Sequence, residues 1–480
     1  VALAAVVAAV VRAVNILVVR PSCLEDVVAS VERDGPTFNP SQCPSGEFAI
    51  WGDSLYGHLQ GRMLARGHGF VDGATWFVSG GETYRTSAGD PPLYASFLGL
   101  LSRIGLQSAT EQRLASAAAG VVGVVLLGLV ARRVAGPRAG VLAAAVAAVY
   151  PMLWINDGML LSESLFVPMV ALAVLGAYRF WDRPSTASAA LFGLSIGAAA
   201  LTRAEAGLLV VVPLVPLVWG LRDETVRRRL ALGGVALAVV AATLAPWFAY
   251  NTARFEEPVF MTSQTGAVLS AASCDATFYG ERLGYWDDCM AWYVATGRVE
   301  DWPSWDLDES QRDRVPREAA LTYTRENASR LPVVMAARVA RLWDLYAPRQ
   351  SVEFNAVIEG RGWGPSQAGI VAYYLLLPAA VGGGVVLARR RVPLSPLLAM
   401  PFIVTVTAAG TFGITRYRAP ADAVLVVLAA VGIDWLVGRR RPAPGLGTVR
   451  TRPRRDAHPG EPTPAGAAAR TTDDAREDAP

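Results

Sequence analysis

The chain has 480 residues, 52% of them hydrophobic and only 18% charged, with a formal net charge of +3 and a mean hydropathy of +0.33. A soluble chain of this length carries about 25% charged residues, so the composition excludes an ordinary cytosolic enzyme. The near-balanced charge excludes a broad basic face for nucleic acid.

The apolar residues fall in long runs, the pattern of a polytopic all-helical membrane protein. Spans are predicted at 1–19, 112–131, 139–155, 160–178, 186–202, 206–221, 229–249, 367–388, 394–413 and 418–438. Each has roughly the length that crosses about 30 Å of hydrocarbon, some of them with tilt, and the full count is about 10–12 transmembrane helices. Val1 opens straight into an apolar run with no cleavage signal, so 1–19 reads as a first anchor. Between the spans lie two long loops, 20–111 and 251–366; the segments 112–250 and 367–438 carry the remaining spans. Residues 91–106 (PPLYASFLGLLSRIGL) are apolar enough to cross but would invert every later loop, so they are expected to lie in or dip into the interface. Residues 331–346 (LPVVMAARVARLWDLY) read as an interfacial amphipathic helix, with packing inside the loop domain as the alternative. Gly382–Gly384, inside a span, permit close helix packing. The tail 439–480, rich in Arg, Pro, Ala, Thr and Asp without periodicity, reads as disordered.

All 44 basic residues are arginine, a bias that fits a GC-rich genome, so position decides which of them matter. Arg132, Arg133 and Arg138, then Arg179 and Arg183, then Arg222 and Arg227–Arg229, Arg389–Arg391 and Arg439–Arg441 occupy alternate short connections. The positive-inside rule makes these cytoplasmic, which places both termini and the tail inside and the two long loops outside. All four cysteines fall in those loops: Cys23 and Cys43 in the first, Cys274 and Cys289 in the second. Sequential disulfides, 23–43 and 274–289, are the simplest of three connectivities, with free thiols as the alternative. Closing a loop of about 15 residues is worth about 3 kcal/mol at most. No CxxC or close histidine pair provides a metal motif: His58 and His68 stand ten apart and His458 lies in the tail. No cofactor is predicted, although carboxylates alone are compatible with a divalent ion.

Ionisable groups near bilayer depth are costly and need a reason. Here the unusual ones gather on the outer side: Asp53 in WGDSLYGHLQ, Asp157 and Glu163 in NDGMLLSESLF, Arg203 and Glu205 in LTRAEA, Arg254 in PWFAYNTARF, and Arg416 and Arg418 in TRYRAP. Arginines bind phosphate bidentately, and a carboxylate beside them can take a proton from a hydroxyl. Sugar transfer from a lipid phosphate needs both functions. For each arginine alone, snorkelling to headgroups is the bland alternative.

In order and spacing the chain resembles the GT-C membrane glycosyltransferases, of the type that includes protein O-mannosyltransferases and the aminoarabinose transferase acting on lipid A. The resemblance runs from about 50 to 436, through GDSLYGHLQGRMLARGHGF, TSAGDPPLYASFLGLL, ARRVAGPRAGVLAAAVAAVYPMLWINDGMLLSESLF, GLSIGAAALTRAEAGLLVVVPLVPL, APWFAYNTARFEEPVFMTSQTGAVL and RYRAPADAVLVVLAAVG. It implies a polyprenyl-phosphate sugar donor, a lipid, glycan or protein hydroxyl acceptor, and inversion at the sugar. It implies Asp53 as general base, Glu163 ahead of Asp157 as the second acid, and Arg203 and Arg416 toward the donor phosphate; Arg254 and Arg418, on the same outer side, are expected beside them. Tyr56, His58 and Tyr94 are expected in the substrate pocket. Where many relatives have a basic residue before PPLY, this chain has Asp90. A transporter or lipid flippase is the rival class; it predicts inverted repeats and charges near the midplane, neither of which the sequence shows.

Overall fold

The computed structural model describes residues 1–34, 43, 44, 46–301, 303, 304 and 306–438. The expected tail, with Arg439–Arg441 and His458, lies outside the described residues. Among those described, the chain is almost wholly helical, and its only β features are the isolated bridges Ser22–Phe48 and Val71–Thr86.

Every predicted span has a helical counterpart, but not all are long enough to cross alone. Among the described residues six segments are long and apolar enough: Ala2–Val19, Ala109–Ala135, Glu163–Asp182, Val226–Thr252, Trp363–Arg389 and Thr415–Gly438. Thr186–Thr202, Ala204–Gly220 and Ser395–Gly410 are shorter apolar helices. The span expected at 139–155 is a bent pair, Pro137–Val149 and Pro151–Asp157, turned by 56°. Its cause is local. Pro151 lacks an N–H and pushes Tyr150 into extended backbone (φ −70°, ψ 115°), so the first helix ends and a second starts with proline in its first turn.

Caps set the other boundaries. Ser108 accepts from the Glu111 N–H while the Glu111 carboxylate accepts from the Ser108 N–H, a reciprocal cap at the head of Ala109–Ala135. Thr225 caps Val226–Thr252 through the Arg228 N–H. The first helix shows the sidedness of a membrane span: Leu3, Val6, Val10 and Val18 are exposed, whereas Ala4, Ala8 and Arg12 are buried against the bundle.

Helix contact at Gly383 is close, as expected of the glycine triplet, but only there. A Cβ on Gly383 would fall on the carbonyl oxygen of Leu428, and one on Gly432 on that of Ala379; Gly382 and Gly384 have open space. Gly383→Ala is therefore expected to cost about 1–3 kcal/mol by overpacking, and Gly384→Ala almost nothing. Thermal unfolding of the two variants in detergent checks this.

The segments between the spans, 20–108 and 253–362, meet at one end of the bundle. Glu309 accepts from the Ala88 N–H (2.8 Å), and Arg254 donates to the carbonyls of Phe70 and Ser87 (3.0 and 3.2 Å). Both expected disulfides, Cys23–Cys43 and Cys274–Cys289, are formed in these segments. Pro92–Arg103 is too short to span and packs against Asp53–Ala65, where a Cβ on Gly61 would stand 2.7 Å from Leu98 Cβ. The helix Leu331–Leu342 packs one face against its surroundings and leaves Val333 and Met335 exposed. It buries Val334, Ala337, Arg338, Arg341 and Leu342, and Arg338 donates to the carbonyls of Ala272 and Ala409.

Candidate active site

Where the two segments meet the bundle, a cavity of about 670 Å³ opens. Charged residues from five separate stretches line it: Asp53, Asp90, Arg203 with Glu205, Glu359, and Arg416. Each is placed by an interruption of regular helix. Asp53 opens the helix Asp53–Ala65 directly after Gly52, whose φ of +56° and ψ of −132° suit glycine alone. Arg203 is the extended residue (φ −148°, ψ 126°) between the helix Thr186–Thr202 and the 3₁₀ turn Ala204–Val210. Arg416 lies in the 3₁₀ turn Thr415–Arg418, ahead of the last span. Asp90 precedes Pro91 and Pro92, which hold it outside the helix they begin.

The ion pairs converge on Glu163, the first residue of its helix, where an acid also suits the positive end of the helix dipole. Its Oε1 accepts from Arg203 Nη1 (2.9 Å) and Arg416 Nε (2.7 Å), and the side chain is 1% exposed. Arg416 further donates through Nη2 to Asp53 (2.6 Å), and its Nη1 lies 3.5 Å from Glu359. Arg203 Nε donates to Glu205 (2.7 Å), and its guanidinium faces the Tyr417 ring at 4.9 Å. One buried carboxylate thus fixes two arginines side by side at the cavity wall. These bonds use two of the three guanidinium nitrogens of Arg203. The Asp53 side chain, 61% exposed, looks into the open space. Asp90 also faces that space, and its side chain is exposed there. Crowding by the surrounding walls, reinforced by the nearby Asp53 charge, pushes its carboxyl up to about 7, against the opposing pull of Arg203 and Arg416.

Four of the expected residues are therefore brought together: Asp53, Glu163, Arg203 and Arg416. The others have structural partners away from the cavity. Asp157 turns to Arg12 of the first helix (2.6 Å), because the bend at Tyr150 swings its helix end that way. Arg254 is held through Nη1 and Nη2 by the Phe70 and Ser87 carbonyls and Asn251, with its guanidinium 4.1 Å from the Tyr250 ring. Arg418 is wholly buried between Asp344 (2.8 Å) and Asp422 (3.0 Å).

The three expected pocket residues stand behind the wall. Tyr56 bonds Ser87 Oγ (2.6 Å) and the Gly89 N–H (3.2 Å), supporting the segment that presents Asp90. His58 is buried against Gln112 (2.8 Å), and burial lowers it to about 4, so it is a neutral imidazole in a packed setting. Tyr94 bonds Ser116 (3.1 Å). Glu359 was not anticipated from sequence: an acid in the polar, glycine-flanked run IEGRGW carries no signal of its own. Among the described residues no cluster of three or more His, Cys, Asp or Glu side chains forms a metal site.

Residues 89–256 match the family model described as dolichyl-phosphate-mannose-protein mannosyltransferase. That stretch contains Asp90, Glu163, Arg203, Glu205 and Arg254, whereas Asp53, Glu359 and Arg416 fall outside it. No curated protein matches the chain. Among solved structures, the Archaeoglobus fulgidus oligosaccharyltransferase tethered to an acceptor peptide containing the NVT sequon is 14% identical, with a TM-score of 0.50 over 91% of this chain and 49% of that one. The oligosaccharyltransferase AglB of the same organism, in complex with an inhibitory peptide and a dolichol-phosphate, is 14% identical at a TM-score of 0.48, covering 92% and 52%. ArnT from Cupriavidus metallidurans bound to undecaprenyl phosphate is 18% identical at 0.39, covering 82% and 75%. The chain spans about half the length of the archaeal structures it matches. The fold is similar to that of the archaeal oligosaccharyltransferase.

Proposed function

We propose that the chain is a membrane glycosyltransferase that moves a sugar from a polyprenyl-phosphate donor to an acceptor hydroxyl. The observation that carries the reading is the pair Arg203 and Arg416, fixed together by buried Glu163 at the wall of an open cavity, with the exposed carboxylate of Asp53 bonded to Arg416 at its edge. The matching family model and the lipid-phosphate ligands of the similar structures support the same class.

The donor's lipid lies among the spans and its phosphate accepts from Arg203 and Arg416. Asp53 takes the proton of the acceptor hydroxyl as its oxygen bonds to the anomeric carbon. The bond from that carbon to the phosphate oxygen breaks on the opposite face, and the electron pair leaves with the polyprenyl phosphate. The sugar's configuration inverts.

The cavity faces away from the cytoplasm in this reading. The arginine-rich connections lie one helix length from the site, and both disulfides are on the site's side, as an oxidising compartment requires. The two long loops then form the outer region and the tail lies inside. The test is transfer of labelled sugar from a synthetic polyprenyl-phosphate sugar to hydroxyl acceptors by the protein in proteoliposomes. Uptake of a labelled solute without any lipid-linked donor would instead establish a transporter.

Asp90 gives this reading a pH signature. With its carboxyl at about 7, Asp90 is neutral below that pH and charged above it. A phosphodiester donor stays singly anionic throughout, so charging Asp90 only repels it. Donor affinity is expected to fall about tenfold between pH 6 and pH 8, and Asp90→Asn to flatten the profile at the tighter value. Equilibrium binding of polyprenyl phosphate methyl ester, which has no second ionisation, reads this directly.

A further inference from the structure

Beside the reaction cavity lies a second one of about 700 Å³, and the two share Gln264, Ala267, Ala271 and Trp286 in their walls. It is built entirely from the segments between the spans, so it is a water-side chamber that leads to the reacting end of the site. Its volume is that of a small-ligand pocket. We infer that this chamber is the acceptor subsite and that it selects an uncharged glycan chain, an assignment that rests on the glycosyltransferase reading above.

The wall chemistry carries the substrate class. Asp72, Asp287, Asp288, Glu309 and Asp313 line the chamber, with Arg312 as the basic residue. Several of these carboxylates are held rigidly by backbone N–H groups: Asp72 by Ala74, Asp288 by Ala291, Glu309 by Ala88 and Asp313 by Gly266 and Ala267. Fixed carboxylates only accept hydrogen bonds, and vicinal sugar hydroxyls donate them. Their summed field excludes phosphorylated or uronic-acid chains.

A second, independent feature points the same way. Ser263, 5% exposed, stands behind Glu309 in the chamber wall, and its hydroxyl acts on that carboxylate, steadying it further. At the junction of the two cavities stands Trp286, its ring stacked on Tyr285 with centroids 5.8 Å apart, an apolar face of the kind that packs on a pyranose ring. The Cys274–Cys289 disulfide closes the loop that carries Trp286, Asp287 and Asp288, so the insert is fastened where it forms the wall.

The experiment titrates the full-length protein in nanodiscs with three probes: maltohexaose, an oligogalacturonate of the same length, and a serine- and threonine-rich basic peptide. Polyprenyl phosphate binding is measured on the same preparation. Maltohexaose is expected to bind, and Trp286→Ala to weaken it about tenfold with polyprenyl phosphate binding retained. Asp72→Asn with Asp288→Asn keeps both helix caps while removing two charges, because asparagine caps as well as aspartate. This double variant, whose amide oxygens still accept hydrogen bonds, is expected to weaken maltohexaose by no more than about threefold and to raise oligogalacturonate affinity at least about threefold at low salt. Binding of the peptide with no binding of maltohexaose would overturn the assignment in favour of a protein acceptor. So would maltohexaose binding indifferent to Trp286→Ala, or no binding of any probe while polyprenyl phosphate still binds. Failure of polyprenyl phosphate itself would bear on the glycosyltransferase reading, and maltohexaose would still report on the chamber.

Discussion

Asp53→Asn is expected to lower sugar transfer by about 100- to 10,000-fold, the usual worth of a positioned general base, while leaving polyprenyl phosphate bound as tightly or more tightly. Two observations set the direction. Asp53 has a largely open side chain bonded directly to Arg416, so an acceptor hydroxyl can reach it beside the phosphate; Glu163 and Glu359, at 1% and 9% exposed, sit behind the arginines. Asparagine can still accept from Arg416 through its amide oxygen, so the arginine keeps its position, and removing a negative charge beside the phosphate favours the donor. Asp90 is the competing base, since its carboxyl near 7 is well poised for proton transfer. The two separate cleanly. If Asp53 is the base, Asp90→Asn keeps transfer within about tenfold of the parent and loses only the pH dependence of donor affinity. Single-turnover transfer from saturating labelled donor, with folding checked by thermal unfolding, decides between them. Near-normal turnover by folded Asp53→Asn would remove Asp53 from the chemistry.

The cluster was legible in the sequence because the chain is so apolar. Asp53, Glu163, Arg203 and Arg416 stood out as charges at the ends of apolar runs, and the structure gathers all four. Asp157, Arg254 and Arg418 carry the same signal and go elsewhere. Hydropathy reports how deep a charge lies along a helix, not which way its side chain turns. The direction was set by features without periodicity: a 56° bend at Tyr150, and the cation Arg12 hidden in a span that read as a plain anchor. Glu359 was hidden for the opposite reason, as one acid in a polar loop whose approach to Arg416 is purely tertiary. The helices themselves were found one by one, but their crossing lengths were not, because a 3₁₀ turn or a proline shortens an apolar run without changing its composition. Both disulfides followed from proximity in sequence within the loops.

Arg418→Met is expected to destabilise the protein by about 3–5 kcal/mol, the cost of stranding buried charges, without a direct effect on the donor. Arg418 is 0% exposed and bonds Asp344, Asp422 and the Leu342 carbonyl, with Tyr373 3.7 Å beneath its guanidinium. Thr415 and Tyr150 complete the cluster through Asp344 and Asp422 (3.0 and 3.3 Å). The clamp therefore joins the end of Leu331–Leu342, the bend at Tyr150 and the head of the last span. It also holds Asp344 at a φ of +52°, strained for a residue other than glycine. Removing the cation leaves two carboxylates with no counter-charge in a dry setting. Taking all three charges away, with Arg418→Met, Asp344→Asn and Asp422→Asn together, should recover at least about half of the loss, because a buried triad is costly mainly when broken. The clamp fixes the turn Thr415–Arg418, and with it the position of Arg416 two residues earlier. Transfer activity should thus return with stability in the triple variant. Denaturation in mixed micelles and polyprenyl phosphate binding, measured on the same samples, test this. A folded Arg418→Met of normal stability that fails to bind the lipid would make Arg418 a donor contact after all.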